Sequence, residues 1–333
     1  MKIRSLGFAP RSQSFAFVPL AQYAQSVRYP DFTSFHPYAN PLVFYFLVWL
    51  LYKNKKVCVK RYIVPNFNLY YNILKGEIMK NIAIITGATG GFGKEFIKLL
   101  LKKENIDEIW AIARNNDKLL NLVNEFGNKI KIFSYDLSNL DCIKNFQTKL
   151  NNEIKIKYLI NNAGYAKFCS YEDLDIDTSL NMINLNVSSV VAMGLICIPY
   201  MDKGSRILNI SSQSSFLPLP YLNIYSATKA FVRNYSRALN VELKDKNITV
   251  TTVCPGWMKT NLYDAAKVDN AKKVVNSFDG ITTPDKVAKK ALNDSDKGKP
   301  LSIYGFFSNA THIAGKILPQ SLLMKFWTFS QKF

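Results

Sequence analysis

Residues 79–333 predict a doubly wound α/β domain built on a parallel sheet, and three observations in the sequence predict it. Short β-type apolar runs alternate with longer helical patterns from Met79 onward, the first run empties directly into a glycine-rich loop that opens a helix, and nothing repeats at a fixed period. The strand-like runs fall at 82–85, 109–112, 130–135, 158–160, 206–210 and 249–253, each followed by a loop. Helical patterns occupy the gaps, notably 94–103, 138–150, 183–201 and 225–243. Parallel strands require crossover connections, and right-handed crossovers cover both faces of the sheet with helices. The 255 residues from Met79 fit one such domain.

Residues 1–78 read differently. Prolines at 10, 19, 30, 37, 41 and 65 interrupt them, and no period of 3.6 or 2 is sustained, so they are expected to form an irregular extension with Met79 as the working start. Within them residues 42–52 (LVFYFLVWLLY) are eleven apolar positions followed by Lys53, Lys55 and Lys56. As helix they cover about 16 Å against about 30 Å of bilayer hydrocarbon, so peripheral membrane contact suits them better than a span. The lysines that follow favour the cytoplasmic side. Arg11 and Pro19 break the early apolar stretches, no secretory signal is read, and a cytoplasmic, optionally membrane-associated protein is expected.

The formal net charge is +19, with ten basic and two acidic residues in 1–78, leaving 33 basic against 22 acidic residues, or +11, for the remainder. Such an excess attracts phosphorylated cofactors or anionic lipid; a lysine- and asparagine-rich compositional bias is the plainer account. No arginine-rich tract or aromatic-basic RNA motif is present, and no nucleic-acid partner is expected. Two distant histidines, His36 and His312, and five scattered cysteines exclude a paired-spacing zinc site, so no metal is expected. An odd set of thiols points to a reducing compartment, with each cysteine read as a small buried residue.

The first strand runs into Thr86-Gly87-Ala88-Thr89-Gly90-Gly91-Phe92-Gly93, and the helix follows at once. Glycines let the backbone turn sharply beside a pyrophosphate, and a helix N-terminus offers unpaired N–H groups. Gly87, Thr89, Gly90, Gly91, Phe92 and Gly93 are therefore candidate dinucleotide contacts. The second strand ends Trp110-Ala111-Ile112-Ala113-Arg114, where an NAD-selective site usually carries an acid. Arg114 instead presents a planar fork to a 2′-phosphate, favouring NADP(H) over NAD(H), with a merely solvated arginine as the alternative.

Tyr-x-x-x-Lys occurs four times, at Tyr52/Lys56, Tyr71/Lys75, Tyr225/Lys229 and Tyr263/Lys267, so context must choose. Only Tyr225 starts a long helix preceded by a strand ending in Ser211 and Ser212. A spacing of four puts phenol and ammonium on one helix face. A free tyrosine titrates near 10, and a neighbouring Lys⁺ makes its proton usable in acid/base work. Ser212 is the candidate for binding the substrate oxygen, with Ser211 and Ser214 as substitutes. Asn186 is a candidate for holding a water that links Lys229 to solvent; bonding to backbone is the alternative.

Together these residues resemble the short-chain dehydrogenase/reductase family, a group of Rossmann-type oxidoreductases. The matches run in order through Thr86-Gly87-x-x-x-Gly91-x-Gly93, Asp136-Leu137, Asn161-Asn162-Ala163-Gly164, Asn186, Ser212, Tyr225-x-x-x-Lys229 and Pro255-Gly256-x-x-x-Thr260. The resemblance implies that Asp136 and Leu137 meet the adenine region and that Asn162, Ala163 and Gly164 line the cofactor site. It also implies that the segment from Pro255 and Gly256 to Thr260 meets the nicotinamide and that Lys229 binds its ribose. The expected reaction is hydride transfer between nicotinamide and a small-molecule carbonyl or alcohol, with a hydrophobic ketone or 3-oxoacyl compound preferred. An NAD-dependent dehydrogenase of a small hydroxy acid or sugar alcohol is the first alternative, and a non-catalytic NADP(H)-sensing or membrane-associated scaffold the second. Homodimers and homotetramers are common in the family.

Beyond Thr260 the resemblance implies a variable substrate lid, with a polar helix expected over 261–278. The tail, 306–333, mixes Ile313, Ile317, Leu322, Phe326, Trp327 and Phe329 with Lys316, Lys325 and Lys332. That mixture suits an interfacial helix contacting a membrane peripherally. Core packing or a subunit contact is the alternative.

Overall fold

The computed structural model describes residues 79–332, less positions 261, 263–265, 269–270, 272–274, 276 and 279. Residues 1–78, with the apolar segment 42–52, and most of the polar helix expected over 261–278 lie outside the described residues. The sheet is the expected one, all parallel and seven-stranded: β1 (Lys80–Thr86), β2 (Glu108–Ala113), β3 (Ile130–Ser134), β4 (Ile154–Asn161), β5 (Arg206–Ile210), β6 (Thr249–Cys254) and β7 (Leu301–Ile303). Their spatial order is β3-β2-β1-β4-β5-β6-β7, so the chain winds outward from β1 in one direction and from β4 in the other. The strand order reverses between β1 and β4, and the cleft outside their C-terminal ends is where such sheets bind ligands.

Alternate residues of β1 feed two cores. Ala83 and Ile85 pack with Phe96, Leu100 and Val287 beneath α1 (Gly91–Leu100), α2 (Asn116–Phe126) and a later helix, α7 (Pro284–Asp296). Ile82 and Ile84 pack on the other face with Phe146, Met193 and Leu239. That face is covered by α3 (Leu140–Gln147), α5 (Ser189–Cys197) and α6 (Asn223–Glu242). Asparagine and aspartate set several helix starts: Asn115 accepts from the Lys118 amide, Asn139 from Asp141 and Asp175 from Thr178.

Three elements differ from expectation. The helix predicted over 183–201 starts earlier, because Asp175 caps α4 (Ile176–Ile183); a π-turn at Asn184–Ser188 then joins it to α5. The stretch Ile176–Tyr200 is long and apolar enough to cross a membrane by mean hydropathy, 1.7. Its residues Leu185, Met193 and Cys197 are instead built into the sheet's core. β4 extends four residues before the predicted start, and β7, which leads into α8 (Phe306–Ile317) and α9 (Gln320–Ser330), carries too short an apolar run to be read.

Candidate functional site

The cleft is assembled from the C-terminal ends of β1, β4, β5 and β6. At β1, Gly87 adopts φ +62°, and a Cβ there would lie 2.9 Å from Ala163 Cα. Glycine alone meets both demands. Thr86 Oγ1 accepts from the amides of Asn162 and Ala163, each at 2.9 Å, and Asn162 Nδ2 donates to the carbonyls of Thr86 and Gly87, each at 3.1 Å. The loop is thereby stapled to the end of β4. A Cβ on Gly93 would meet Gly87 O at 2.5 Å, so this glycine lets the loop fold over α1.

Gly90 and Gly91 are exposed and Thr89 half-buried, leaving a bare backbone at a helix start that has no acidic residue in its first turn. Such a helix start could hold a pyrophosphate, with room that side chains would otherwise fill. Phe92 buries its ring against Phe96, centroids 4.8 Å apart, so any dinucleotide contact it makes would come from its backbone.

Just past β2, Arg114 is exposed, and its carbonyl accepts from Ser134 Oγ at 2.9 Å. Asp136 caps Ser138, accepting from its amide at 2.9 Å and its hydroxyl at 2.8 Å. Ser138 Oγ in turn accepts from Asn181, which accepts from the Tyr165 hydroxyl at 3.1 Å. This chain ties the β3 loop to α4. Leu137 is buried in the core beside it.

The reactive groups meet where β5 hands over to α6. Lys229 Nζ donates to Ile210 O at 2.9 Å, and Ser211 Oγ donates to Lys229 O at 2.7 Å, so strand and helix grip each other twice. Ser211 is thus committed to that grip, and Ser214 Oγ is buried without a hydrogen-bond partner. Ser212 is the serine that interacts with the Tyr225 phenol, and its Oγ also accepts from the Ser214 amide at 3.1 Å. Lys229 Nζ lies 5.6 Å from the centre of the Tyr225 ring.

Burial pushes the phenol up to about 12, the Ser212 bond opposes the rise, and the Cys254 thiol adds to it. Burial pulls Lys229 down to about 8. The phenol therefore holds its proton at neutral pH, as a proton donor must.

Asn186 is fully buried in the π-turn. Its Oδ1 accepts from the Tyr165 amide at 3.1 Å, and its Nδ2 donates to Tyr165 O at 2.9 Å and to Thr228 Oγ1 at 3.1 Å. The backbone-bonding alternative is what the geometry displays. Gly164 keeps Asn186 beside Lys229, since a Cβ there would sit 2.8 Å from Asn186 Oδ1 and 3.3 Å from Lys229 Nζ.

The far wall comes from β6. Pro255 O accepts from the Gln213 amide at 2.8 Å. A Cβ on Gly256 would strike Ser308 Oγ at 2.5 Å, and Thr260 Cγ2 faces Gly91, 3.8 Å from where its Cβ would be. Tyr225 itself packs in an apolar cluster with Phe168, Leu219, Leu222, Trp257, Phe278 and Trp327.

Sequence reasoning quoted Thr86 only as part of the glycine motif and Trp327 only as part of the tail, and missed Gln213 and Ser308. Only Thr86 had a local signal, a hydroxyl residue at the strand end before the first glycine. The four described cysteines are unpaired, and no cluster of metal-binding side chains occurs among the described residues.

The sequence model of the short chain dehydrogenase family matches residues 81–271. Among curated proteins, the chain is 30% identical over 269 residues to very-long-chain 3-oxoacyl-CoA reductase-B of Danio rerio, covering 77% of this chain and 81% of that protein. It is 36% identical over 196 residues to very-long-chain 3-oxoacyl-CoA reductase of Homo sapiens, covering 56% of this chain but only 62% of the human protein's length. Among solved structures, a short-chain dehydrogenase from Sphingobium yanoikuyae in complex with NADPH aligns with TM-score 0.60 at 24% identity, over 74% of this chain and 95% of that one. One from Burkholderia phymatum in complex with NAD aligns with TM-score 0.62 at 18% identity, over 75% and 96%. At those identities the structural likeness is one of fold. The family match, running from the first strand past the glycine loop and the Tyr225/Lys229 pair, makes the chain a member of the short chain dehydrogenase family, oxidoreductases acting on carbonyl and hydroxyl groups.

Proposed function

We propose that this chain is an NADPH-dependent reductase of a hydrophobic ketone, of the 3-oxoacyl thioester class. The observation that carries the reading is the Tyr225 phenol, half-buried among apolar side chains beside Ser212 and Lys229, where desolvation favours its protonated form. The relatives named 3-oxoacyl-CoA reductases supply the substrate class.

In this reading the glycine loop holds the pyrophosphate, Asp136 and Leu137 border the adenine, and Asn162 to Gly164 and Pro255 to Thr260 flank the nicotinamide. The reduced nicotinamide supplies the hydride. Ser212 binds the ketone oxygen and orients it, and Tyr225 donates its proton as negative charge develops there. The Lys229 ammonium stabilises the phenolate left behind, and Asn186, fixed by Tyr165, sets the position of Lys229 through Gly164. Aromatic and aliphatic walls exclude water while accepting an acyl chain.

NADPH is preferred because Arg114 stands free at the end of β2 where no acid accepts a ribose hydroxyl. Loss of the reduced-nicotinamide absorbance with a panel of 3-oxoacyl thioesters tests the activity. Tyr225→Phe is expected to lower kcat by roughly 10²–10⁴ while leaving NADPH binding within a few-fold. Turnover unchanged in that variant rejects the assignment. Arg114→Ala is expected to erase the preference for NADPH over NADH, and equal preference in both proteins removes the argument for NADP(H).

A further inference from the structure

Helices α8 and α9 are amphipathic the wrong way round for a soluble protein. On α8 the inward face is Ser308, His312 and Gly315. Ser308 donates to Gln213, the His312 ring lies 4.5 Å from the Phe216 ring, and a Cβ on Gly315 would press 2.6 Å from Phe216 O. The outward face is Phe306, Ile313 and Ile317, spaced i, i+7, i+11, with Phe306 81% exposed. On α9 the pattern recurs: Leu323 is buried and Trp327 half-buried, while Leu322, Phe326 and Phe329, spaced i, i+4, i+7, face outward, Phe329 at 85%. A surface helix ordinarily turns such a stripe to the core, and contiguous exposed patches of this kind mark contact surfaces.

Charge identifies the occupant. Between 306 and 333 the chain carries no Asp or Glu, and its lysines at 316, 325 and 332 lie among the exposed apolar positions. Lysines interleaved with Phe, Ile and Leu on a helix face complement an anionic headgroup layer above acyl chains.

The same helices rest on the catalytic loop. α8 touches the turn Gln213–Phe216 that follows Ser212, and Trp327 Nε1 donates to Pro220 O at 2.9 Å from within the cluster that packs Tyr225.

We propose that α8 and α9 form a docking surface for an anionic phospholipid bilayer, seating the rim of the substrate cleft on the membrane. The proposal does not depend on which ketone is reduced. Its test is flotation of the full chain with vesicles of pure phosphatidylcholine and of equimolar phosphatidylcholine and phosphatidylserine. Binding is expected to the serine-lipid vesicles, weakened by high salt. It should fall roughly tenfold or more in Ile317→Asp/Phe326→Asp, whose changes sit on the exposed face.

Because residues 42–52 are also apolar, a local readout separates the two. A polarity-sensitive fluorophore on Phe329→Cys, in a Cys58→Ser/Cys142→Ser background, is expected to shift to the blue when serine-lipid vesicles are added. No blue shift, or flotation unchanged in the double aspartate variant, overturns the proposal. So does a chain that ignores vesicles but forms a dimer that the double aspartate variant dissociates, which assigns the face to a second copy.

Discussion

Lys229 is the residue at which stability and chemistry pull against each other. Burial lowers it to about 8, whereas in the unfolded chain it titrates near 10.4, so between those values the unfolded state binds the extra proton. Its charge therefore costs stability below pH 8, and the cost is relieved as pH climbs through the window. Tyr225 runs the other way. Raised by burial to about 12, it contributes stability that is present below about pH 10 and lost as pH rises toward 12. In urea titrations of the cofactor-free protein, the stability of wild type relative to Lys229→Met should rise by about 3 kcal/mol from pH 8 to 10.5. A difference flat in pH would show that the ammonium is not buried. The pairing of Tyr225 with Lys229 was legible in the sequence because it is a contact within one helix. Ser212 was preferred over Ser211 and Ser214 from the sequence, but the reason Ser211 is not available, its use in the β5–α6 grip, is a long-range contact the sequence does not display.

At the scale of the elements, two glycines only two residues apart behave oppositely. Gly93 faces backbone at 2.5 Å, which cannot yield, whereas Gly91 meets only a Thr260 methyl at 3.8 Å. Thermal denaturation should find Gly93→Ala destabilised by about 1–3 kcal/mol and Gly91→Ala close to wild type, with cofactor binding weakened in both. Gly164→Ala should lower kcat by about tenfold or more at saturating cofactor, because its methyl displaces Asn186 and Lys229 together. Equal kcat would remove Asn186 from the positioning of Lys229. β1 and β2 could be read because each carries an unbroken apolar run, and β5 and β6 because isoleucine, leucine, valine and β-branched threonine dominate them. β4 was read short because Lys155 and Lys157 alternate with Ile154 and Ile156; those lysines are paired with Asp202, 3.1 and 2.7 Å away, at the end of the following crossover. Nothing in residues 184–188 announces a π-turn, which is set by the packing of Asn186 against Tyr165.

Across the whole molecule, the chain's last segments complete structures begun far earlier, which is why they escaped a local reading. Ser308 reaches back 95 residues to Gln213, and Trp327 reaches 107 to Pro220. Asp294, nearly buried, joins α7 to the edge strand by accepting from Lys290 at 2.6 Å and from Ser302 at 2.8 Å, with Lys299 at 3.1 Å. Burial raises this carboxyl, but those three partners outweigh it and hold it below the usual range. Its contribution is thus complete above about pH 4 and lost as pH falls through the folded value. Asp294→Asn should cost about 1–3 kcal/mol at neutral pH, a deficit that closes on acidification; a deficit constant in pH would make the loss steric rather than ionic. One consequence belongs to the double grip between β5 and α6. A floor bolted at two points has no slack to take up during a catalytic cycle, so the chemical step needs no rearrangement there. The phenol and the ammonium therefore ride on one rigid unit, so a change that loosens either bolt is felt at both groups at once.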